Sequence, residues 1–476
     1  MAPDLTISRV LTGLWQVADM EREGEDLDPE AAADALAPYI EAGFTTFDMA
    51  DHYGSAEVIA GRLLKKFGSS VQLFTKWVPE PGPVTRDDVR TAIHRSLDRM
   101  GADRLDLLQF HAWNFADPVW LDSLYFLQEL KSEGIIRYLG LTNVDTAHLR
   151  IVLNSGIDVV SNQICYSLID QRASDGMAAL CEEKGVKILA FGTVAGGFLT
   201  EKWLGASEPD QESLVTWSQM KYKRFINAAG GWEPFQGVLN AVSKAARRQG
   251  VSMANIACRY ILEQPAVGGI IIGARPGVSR HIEDNARLFD FSLDPESRKG
   301  IEAALKALQP IPGDCGDEYR RPPFLTASGD LSHHFQNMPL PYEPVKGADG
   351  RSRVFSGTLW EEMAGYCRAV RDGRRIFVSG TTATHGDRLI GGNDAAAQCH
   401  FIIDKIEGAI ESLGGRLEDV VRTRIFIRNM SDWEAVARAH GERFRDIWPA
   451  NTLVQADLVG DEYLVEMEAK ADLGDR

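Results

Sequence analysis

The chain has no apolar run near the ~20 residues that a membrane-crossing helix needs, and it has no Cys-x-x-Cys pair. The first absence speaks against a helical membrane span. The second leaves Cys165, Cys181, Cys258, Cys315, Cys367 and Cys399 far apart in sequence, so they read as free thiols rather than as a zinc site or a disulfide framework, and no metal is expected. Positive charge is also short: 51 Lys and Arg against 68 Asp and Glu leave a net charge of -17 at pH 7. That balance opposes binding to nucleic acid or anionic lipid, for which Lys and Arg contacts to phosphate are needed. Small molecules are the expected partners. No G-x-G-x-x-G follows an early strand, which argues against a Rossmann-type dinucleotide site. The opening Met1-Ala2-Pro3-Asp4-Leu5 lacks the basic stretch and apolar core of a secretory signal, so the expected location is cytoplasmic.

What is present is an ordinary globular composition, 44% hydrophobic and 25% charged over 476 residues. That length exceeds the roughly 250–300 residues at which a single core stops growing, so two domains are expected. Short apolar, β-branched runs alternate with amphipathic stretches eight times, the signature of βα units. The predicted strands are Val10–Gln16, Phe44–Asp48, Val71–Trp77, Leu105–His111, Ile136–Asn143, Val159–Cys165, Lys187–Phe191 and Gly268–Gly273. The clearest helix runs from Arg86 to Met100, with Thr85 as N-cap, Asp87 and Asp88 in the first turn, Val89, Ile93 and Leu97 on one face, and Gly101 to end it. Eight such units in ~300 residues fit a closed (β/α)8 TIM barrel over residues 1–310 better than the alternative, an open doubly wound sheet.

Between 311 and 352 the pattern dissolves into Pro312, Pro322, Pro323, Pro339, Pro341 and Pro344 around the pair His333-His334. Prolines remove backbone donors, so this stretch reads as a linker or barrel tail running extended over the surface, with the histidines solvated. From 353 to 476 a different order returns: strands Arg353–Thr358 and Arg375–Thr381, a helix over Asp394–Leu413, strand Val420–Ile427, a helix over Asp432–Trp448, then strands Thr452–Leu458 and Tyr463–Leu473. This is an α+β domain. A sheet covered by helices on one face leaves the other open, and association between copies is the expected cover.

Catalytic groups of a (β/α)8 barrel stand where strands end, because the βα loops converge there. Asp48 closes the second predicted strand, Tyr53 follows in its loop, Lys76 closes the third and His111 the fourth. Reducing a carbonyl needs a hydride at carbon and a proton at oxygen, hence a cofactor and a general acid. Tyr53 suits the acid role if a neighbouring ammonium favours its phenolate. Lys76 is placed to supply that charge, with Asp48 keeping the lysine protonated and His111 orienting the substrate oxygen. Singly, each has a plain reading: a helix cap, surface polarity or a satisfied core histidine. Together, at one rim, they point to catalysis.

The run Phe47-Asp48-Met49-Ala50-Asp51-His52-Tyr53-Gly54-Ser55-Ala56-Glu57, with Lys76 and His111, resembles the signature of the aldo-keto reductases, and the likeness extends from about Thr12 to Asn285. The resemblance implies the barrel, NADP(H) as cofactor, a carbonyl substrate and Tyr53 as proton donor. It further implies that Thr142, Asn143 and Gln163 hold the nicotinamide carboxamide and that Phe191 stacks on its ring. The segment Ile270-Ile271-Ile272-Gly273-Ala274-Arg275, with Asp284 and Asn285, is similar to the family's adenosine-phosphate segment. There Arg275 matches the residue on the 2′-phosphate, which a guanidinium suits. Trp15, Trp77 and Trp113 follow strand ends and are expected to line the substrate pocket.

In the C-terminal domain, Arg374-Arg375-Ile376-Phe377-Val378-Ser379-Gly380-Thr381, Gln398, Asn429-Met430-Ser431-Asp432-Trp433 and Val465-Glu466-Met467-Glu468-Ala469 resemble the reactive intermediate deaminase (Rid, YjgF-like) family. The resemblance implies a chorismate-mutase-like α+β fold, trimers with clefts between subunits, and imine hydrolysis. The arginine that grips the substrate carboxylate in that family is Asn451 here, and an amide does not replace a bidentate cation. Glu466 matches the family's water-activating acid. The expected activity is NADPH-dependent reduction of an aldehyde or ketone, with the second domain for oligomerisation or small-molecule binding. Two alternatives stand beside it: imine hydrolysis coupled to reduction, and an NADP-binding redox sensor.

Overall fold

A computed structural model describes residues 1–476 other than 3, 25, 322–327 and 475–476, so Pro322 and Pro323 lie outside the described residues. Eight parallel strands close into a barrel in chain order: β1 (Val10–Gly13), β2 (Thr46–Asp48), β3 (Gln72–Trp77), β4 (Leu105–Phe110), β5 (Ile136–Thr142), β6 (Val159–Cys165), β7 (Lys187–Phe191) and β8 (Val267–Gly273), with β8 returning to pair with β1. Leu11, Phe74, Leu107 and Leu189 form an apolar floor inside it. Side chains two residues apart share a face of a strand, so the same strands place Gly13, Lys76, Gln109 and Phe191 one layer higher. On β3 and β4 the barrel interior therefore changes from apolar to polar between Phe74 and Lys76 and between Leu107 and Gln109.

The helix Arg86–Met100 forms as the sequence predicts, closed by a reciprocal Thr85–Asp88 capping box and by Gly101 in the left-handed region. Strand β1 is shorter than predicted. After Gly13 the chain turns into the helix Trp15–Met20, and the Leu14 N–H donates to the Asp48 carbonyl at 2.8 Å.

The segment after the barrel does not run extended over the surface. It folds a short helix, Asp317–Arg320, and 3-10 turns at Ser328–Asp330 and Ser332–Asn337, and it buries Cys315, Glu318, Tyr319 and Arg320. Arg172 ties it down by hydrogen bonds to the Asp314 carbonyl at 2.7 Å and to Glu318 at 2.8 Å. His333 is exposed, whereas His334 packs edge-on to Trp113 with ring centroids 5.5 Å apart.

Beyond it lie β9 (Val345–Lys346), β10 (Ser352–Val354), β11 (Ala369–Asp372), β12 (Arg375–Thr382), a small hairpin of β13 (Thr384–His385) and β14 (Arg388–Leu389), β15 (Val420–Ile427), β16 (Ala450–Gln455) and β17 (Val465–Asp472). Seven of them form one sheet in the order β16-β15-β17-β12-β11-β10-β9. The helices Ala395–Ser412 and Trp433–Phe444 pack on each other, and the first lies against β12 and β17. Strands β9 and β11 were absent from the sequence reading, being only two and four residues long.

The two domains meet along the helices Thr146–Asn154 and Ala395–Ser412. Gly408 is required there, since a Cβ would come 2.3 Å from the Ala116 carbonyl oxygen. The seam carries a buried ionic chain. His148 bonds Asp145 through Nδ1 at 2.7 Å and Asp404 through Nε2 at 3.1 Å, and Asp404 accepts from Arg443 at 2.6 Å. The two carboxylates raise the His148 imidazole to about 9 against the opposing effect of burial, so it is charged at neutral pH. Among the described residues, no helix is long and apolar enough to cross a membrane.

Candidate active site

A cavity of about 510 Å³ opens at the C-terminal rim of the barrel, where β1–β8 end. Its deep end is built on the ion pair Lys76–Asp48, 2.7 Å long and with both side chains about 95% buried. The Lys76 ammonium also donates to the Met49 carbonyl at 2.8 Å. The other carboxylate oxygen of Asp48 accepts from Gln163 at 2.6 Å and from Gln109 at 3.1 Å. A buried charge pair is tolerable only when its remaining lone pairs and protons are met in this way. Gln109, which sequence reasoning passed over, is thus part of the site's foundation.

Tyr53 stands in front of this pair, with the Lys76 nitrogen 5.0 Å from its ring centroid. The geometry differs from the expectation that the lysine makes the phenol more acidic. Lys76 spends its hydrogen bonds on Asp48 and Met49, and the phenol is pushed well above its usual range, first by burial and then by Asp48, Asp330, Tyr319 and Asp51. The sequence reading counted the cation and omitted desolvation and the carboxylates. Tyr53 is accordingly a neutral phenol across the physiological range.

His111 is buried and its Nε2 has no hydrogen-bond partner among the described residues. Burial pulls its imidazole well below the ordinary value, and Arg320, His52 and His334 push the same way. It is a neutral imidazole. Asn143 sits beside it, Nδ2 to the His111 Nδ1 at 3.5 Å, in the left-handed region at φ 57 and with its buried side-chain oxygen unpartnered. Two polar atoms without partners, on residues that line one cavity, are the mark of a site that expects a ligand.

The cavity also brings together Thr142, Gln163, Phe191, Gly273, Arg275, Asp284, Asn285 and Trp15. Several are less free than expected. The Gln163 amide N–H is taken by Asp48 and, at 2.7 Å, by Gln109. The Thr142 hydroxyl donates to the Gln163 carbonyl at 3.1 Å. Lys221 projects over the Phe191 ring, 4.9 Å from its centroid. Asp284 accepts from Ser252 at 2.9 Å and from Asn255 at 3.0 Å, fixing the start of the helix Met253–Leu262. Arg275 keeps a partnerless Nε, with Asp19 3.8 Å from its Nη1.

Trp77 and Trp113 do not line the cavity. Trp77 packs on Phe110, and Trp113 donates to the Pro79 carbonyl at 2.8 Å while bracing the His111 ring from behind. A Trp after a strand end points to the rim only if the next turn carries it inward, which composition does not show. The cavity wall instead includes Tyr319 and Asp330, from the stretch read as linker, and Lys221, which donates to the Tyr319 hydroxyl at 2.7 Å and lies 3.4 Å from Asp330. No local signal marks these residues, because their roles exist only after the chain has folded back across the rim.

In the C-terminal domain Asn451 and Glu466 do not meet. Asn451 lies opposite Thr423 of β15 and donates to its hydroxyl at 2.9 Å, while Glu466 lies opposite Phe426, three residues further along β15 and on its other side. Burial raises the Glu466 carboxyl above its usual range.

Residues 9–306 match the Aldo/keto reductase family. The chain belongs to that family. Residues 359–473 of this reductase match the family described as Endoribonuclease L-PSP, so a reductase barrel is fused to a Rid domain. The NADH-specific methylglyoxal reductase of Escherichia coli is 25% identical over 331 residues, covering 64% of this chain and 97% of its own. An uncharacterized protein of Streptomyces coelicolor is 40% identical over 123 residues, covering 26% of this chain and 92% of its own. A glycerol dehydrogenase from Gluconobacter oxydans shares the barrel fold, with a TM-score of 0.54 at 22% identity over 65% of this chain and 95% of that one.

Proposed function

We propose that this aldo-keto reductase reduces an aldehyde or ketone with a nicotinamide cofactor, and that Tyr53 gives the proton. The observation that carries the proposal is the cavity lined together by neutral Tyr53, by His111 and by Asn143, the last two each with a side-chain atom unpartnered among the described residues. A nicotinamide fits these residues, since its carboxamide N–H would satisfy Asn143. The cavity continues past Phe191 to Gly273, Arg275 and Asn285, which would hold the rest of the dinucleotide. When bound, the cofactor supplies the hydride. The protein's part is to hold the carbonyl oxygen between Tyr53 and His111 and to deliver the phenol proton to it. The Lys76–Asp48 pair keeps fixed charge behind that proton without removing it. A phenol held neutral favours reduction over alcohol oxidation near pH 7, because oxidation requires the phenolate.

We assign NADPH as the preferred cofactor on Arg275, which lines the cavity and whose Nε has no partner among the described residues. The barrel is read as residues 1–310 and the Rid domain as 353–476. The Rid domain joins three chains through its open sheet face, which carries Phe377, Arg424, Glu466 and Glu468. The test is consumption of NADPH and of NADH by the full chain against a panel of aldehydes and ketones that includes methylglyoxal. Turnover with a higher kcat/KM for NADPH is expected, and Arg275→Ala should narrow the gap. No turnover with any carbonyl would overturn the reductase reading, and a preference for NADH would overturn the cofactor assignment.

A further inference from the structure

The helix Asp317–Arg320 lies between the two family matches, yet its last residue reaches into the barrel. Arg320 is 5% exposed. Its Nε and Nη2 donate to the Ala112 carbonyl at 2.9 and 2.5 Å, and its Nη1 donates to the Asn143 carbonyl at 2.7 Å and to the Gly316 carbonyl at 3.1 Å. Its plane lies over Phe115, 4.3 Å from the ring centroid. Ala112 directly follows His111, and Asn143 directly follows the end of β5. One planar fork thus ties together the two loops that carry the free Nε2 of His111 and the free side-chain oxygen of Asn143.

The approach is close enough to demand particular residues. A Cβ on Gly316 would come 2.1 Å from the Asn143 carbonyl oxygen, and Gly316 itself has φ 87. Asn143 holds a left-handed backbone, a conformation that asparagine tolerates better than most residues with a side chain. Here its N–H donates to the Gln163 carbonyl at 2.9 Å while Arg320 holds its carbonyl from the other side. The adjoining Tyr319 completes the wall, its ring centroid 5.5 Å from that of His111.

We infer that Arg320, supplied by the segment between the domains, is a positioning residue of the reductase site, setting where His111 and Asn143 point. A guanidinium spans these carbonyls as a rigid fork, and an ammonium does not. The kinetic part of this inference rests on the reductase reading. The charged and polar groups facing His111 are Arg320, His52, His334, Tyr319 and Asn143, of which the first three lower its basicity.

The test compares the full-length chain with Arg320→Ala and Arg320→Lys, using methylglyoxal as the probe. A misplacement near 1 Å costs on the order of 100-fold in rate, and a kcat loss of that size is expected for Arg320→Ala, with tens of millimolar guanidinium ion recovering at least tenfold. The His111 imidazole, followed by NMR, should titrate at higher pH in Arg320→Ala, and the acid limb of the kcat profile should move with it. If Arg320→Ala does not fold, Arg320→Lys keeps the charge and loses the fork, so kcat should fall roughly tenfold with the His111 titration in place. An Arg320→Ala kcat within twofold of the parent, or a loss with neither rescue nor a moved titration, would overturn the inference, as would a parental kcat in Arg320→Lys. If the parent chain reduces no carbonyl, the reductase reading fails by itself and Arg320 is judged on hydrogen exchange of the Asn143 amide. Faster exchange in Arg320→Lys sustains its positioning role and unchanged exchange ends it.

Discussion

The two functional regions are built in opposite ways. At the barrel rim the buried lysines are paired, Lys76 with Asp48 and Lys221 with Asp330, and His111 and Asn143, each with one side-chain atom unpartnered among the described residues, line one cavity. On the Rid sheet, Asn451 and Glu466 stand apart and the Arg424–Glu468 pair at 2.6 Å is half exposed, and Trp448, just before β16, is 82% exposed. The rim residues converge on one cavity, and the two sheet residues do not meet. Closed sites hold their chemistry by preorganisation, whereas an open sheet face gains its chemistry only from what covers it.

The contrast breaks most sharply at Lys76. Lys76→Met leaves the Asp48 carboxylate buried with only amide donors, a change that costs about 3–5 kcal/mol when one partner of a buried pair is lost. Denaturant unfolding should show that loss, and carbonyl reduction should fall with it. An unchanged midpoint would mean that the barrel charges are no more enclosed than those of the sheet.

Next in size is the seam that joins the regions. His148→Gln removes the charge between Asp145 and Asp404 and should weaken domain docking by about 3 kcal/mol. Because the folded His148 titrates near 9, above the ~6.5 of an unfolded histidine, its contribution is full below pH 6.5 and is lost as pH rises through about 9. Hydrogen exchange of the helix Thr146–Asn154 at pH 7 and pH 10 reads this directly. Faster opening at pH 10 is expected in the parent protein and not in His148→Gln.

The smallest effect belongs to the sheet. Glu466→Gln should leave carbonyl reduction within twofold, since the residue lies on the Rid sheet and not at the barrel rim. Parallel assays of kcat and sedimentation on the same variant decide this, and a larger drop in kcat would make the Rid face part of the reductase.

Much of the barrel was legible because local and global signals agree there. Val159–Cys165, Lys187–Phe191 and the helix Arg86–Met100 match the predicted bounds, each a run whose apolar period and caps point to one answer. Val10–Gln16 was read too long because Leu14, Trp15 and Val17 continue the apolar run after the backbone has turned helical. The stretch after residue 310 was misread because proline reports only what the backbone avoids. Burial of Arg320 depends on an acceptor 208 residues earlier, the Ala112 carbonyl, and that of Tyr319 on the Lys221 ammonium. That Asp48, Tyr53, Lys76 and His111 line one cavity was legible from their places at or after strand ends. Their electrostatics were not, since desolvation of Tyr53 is a property of the assembled wall.

The central claim is that Tyr53 provides the proton. Hydride transfer from nicotinamide-deuterated cofactor to methylglyoxal, followed in a single turnover, should show a primary isotope effect in the parent protein. In Tyr53→Phe the same step should slow by at least ~100-fold, the lower end for loss of a general acid, with cofactor affinity within twofold. Equal transfer rates in the two proteins would contradict the account.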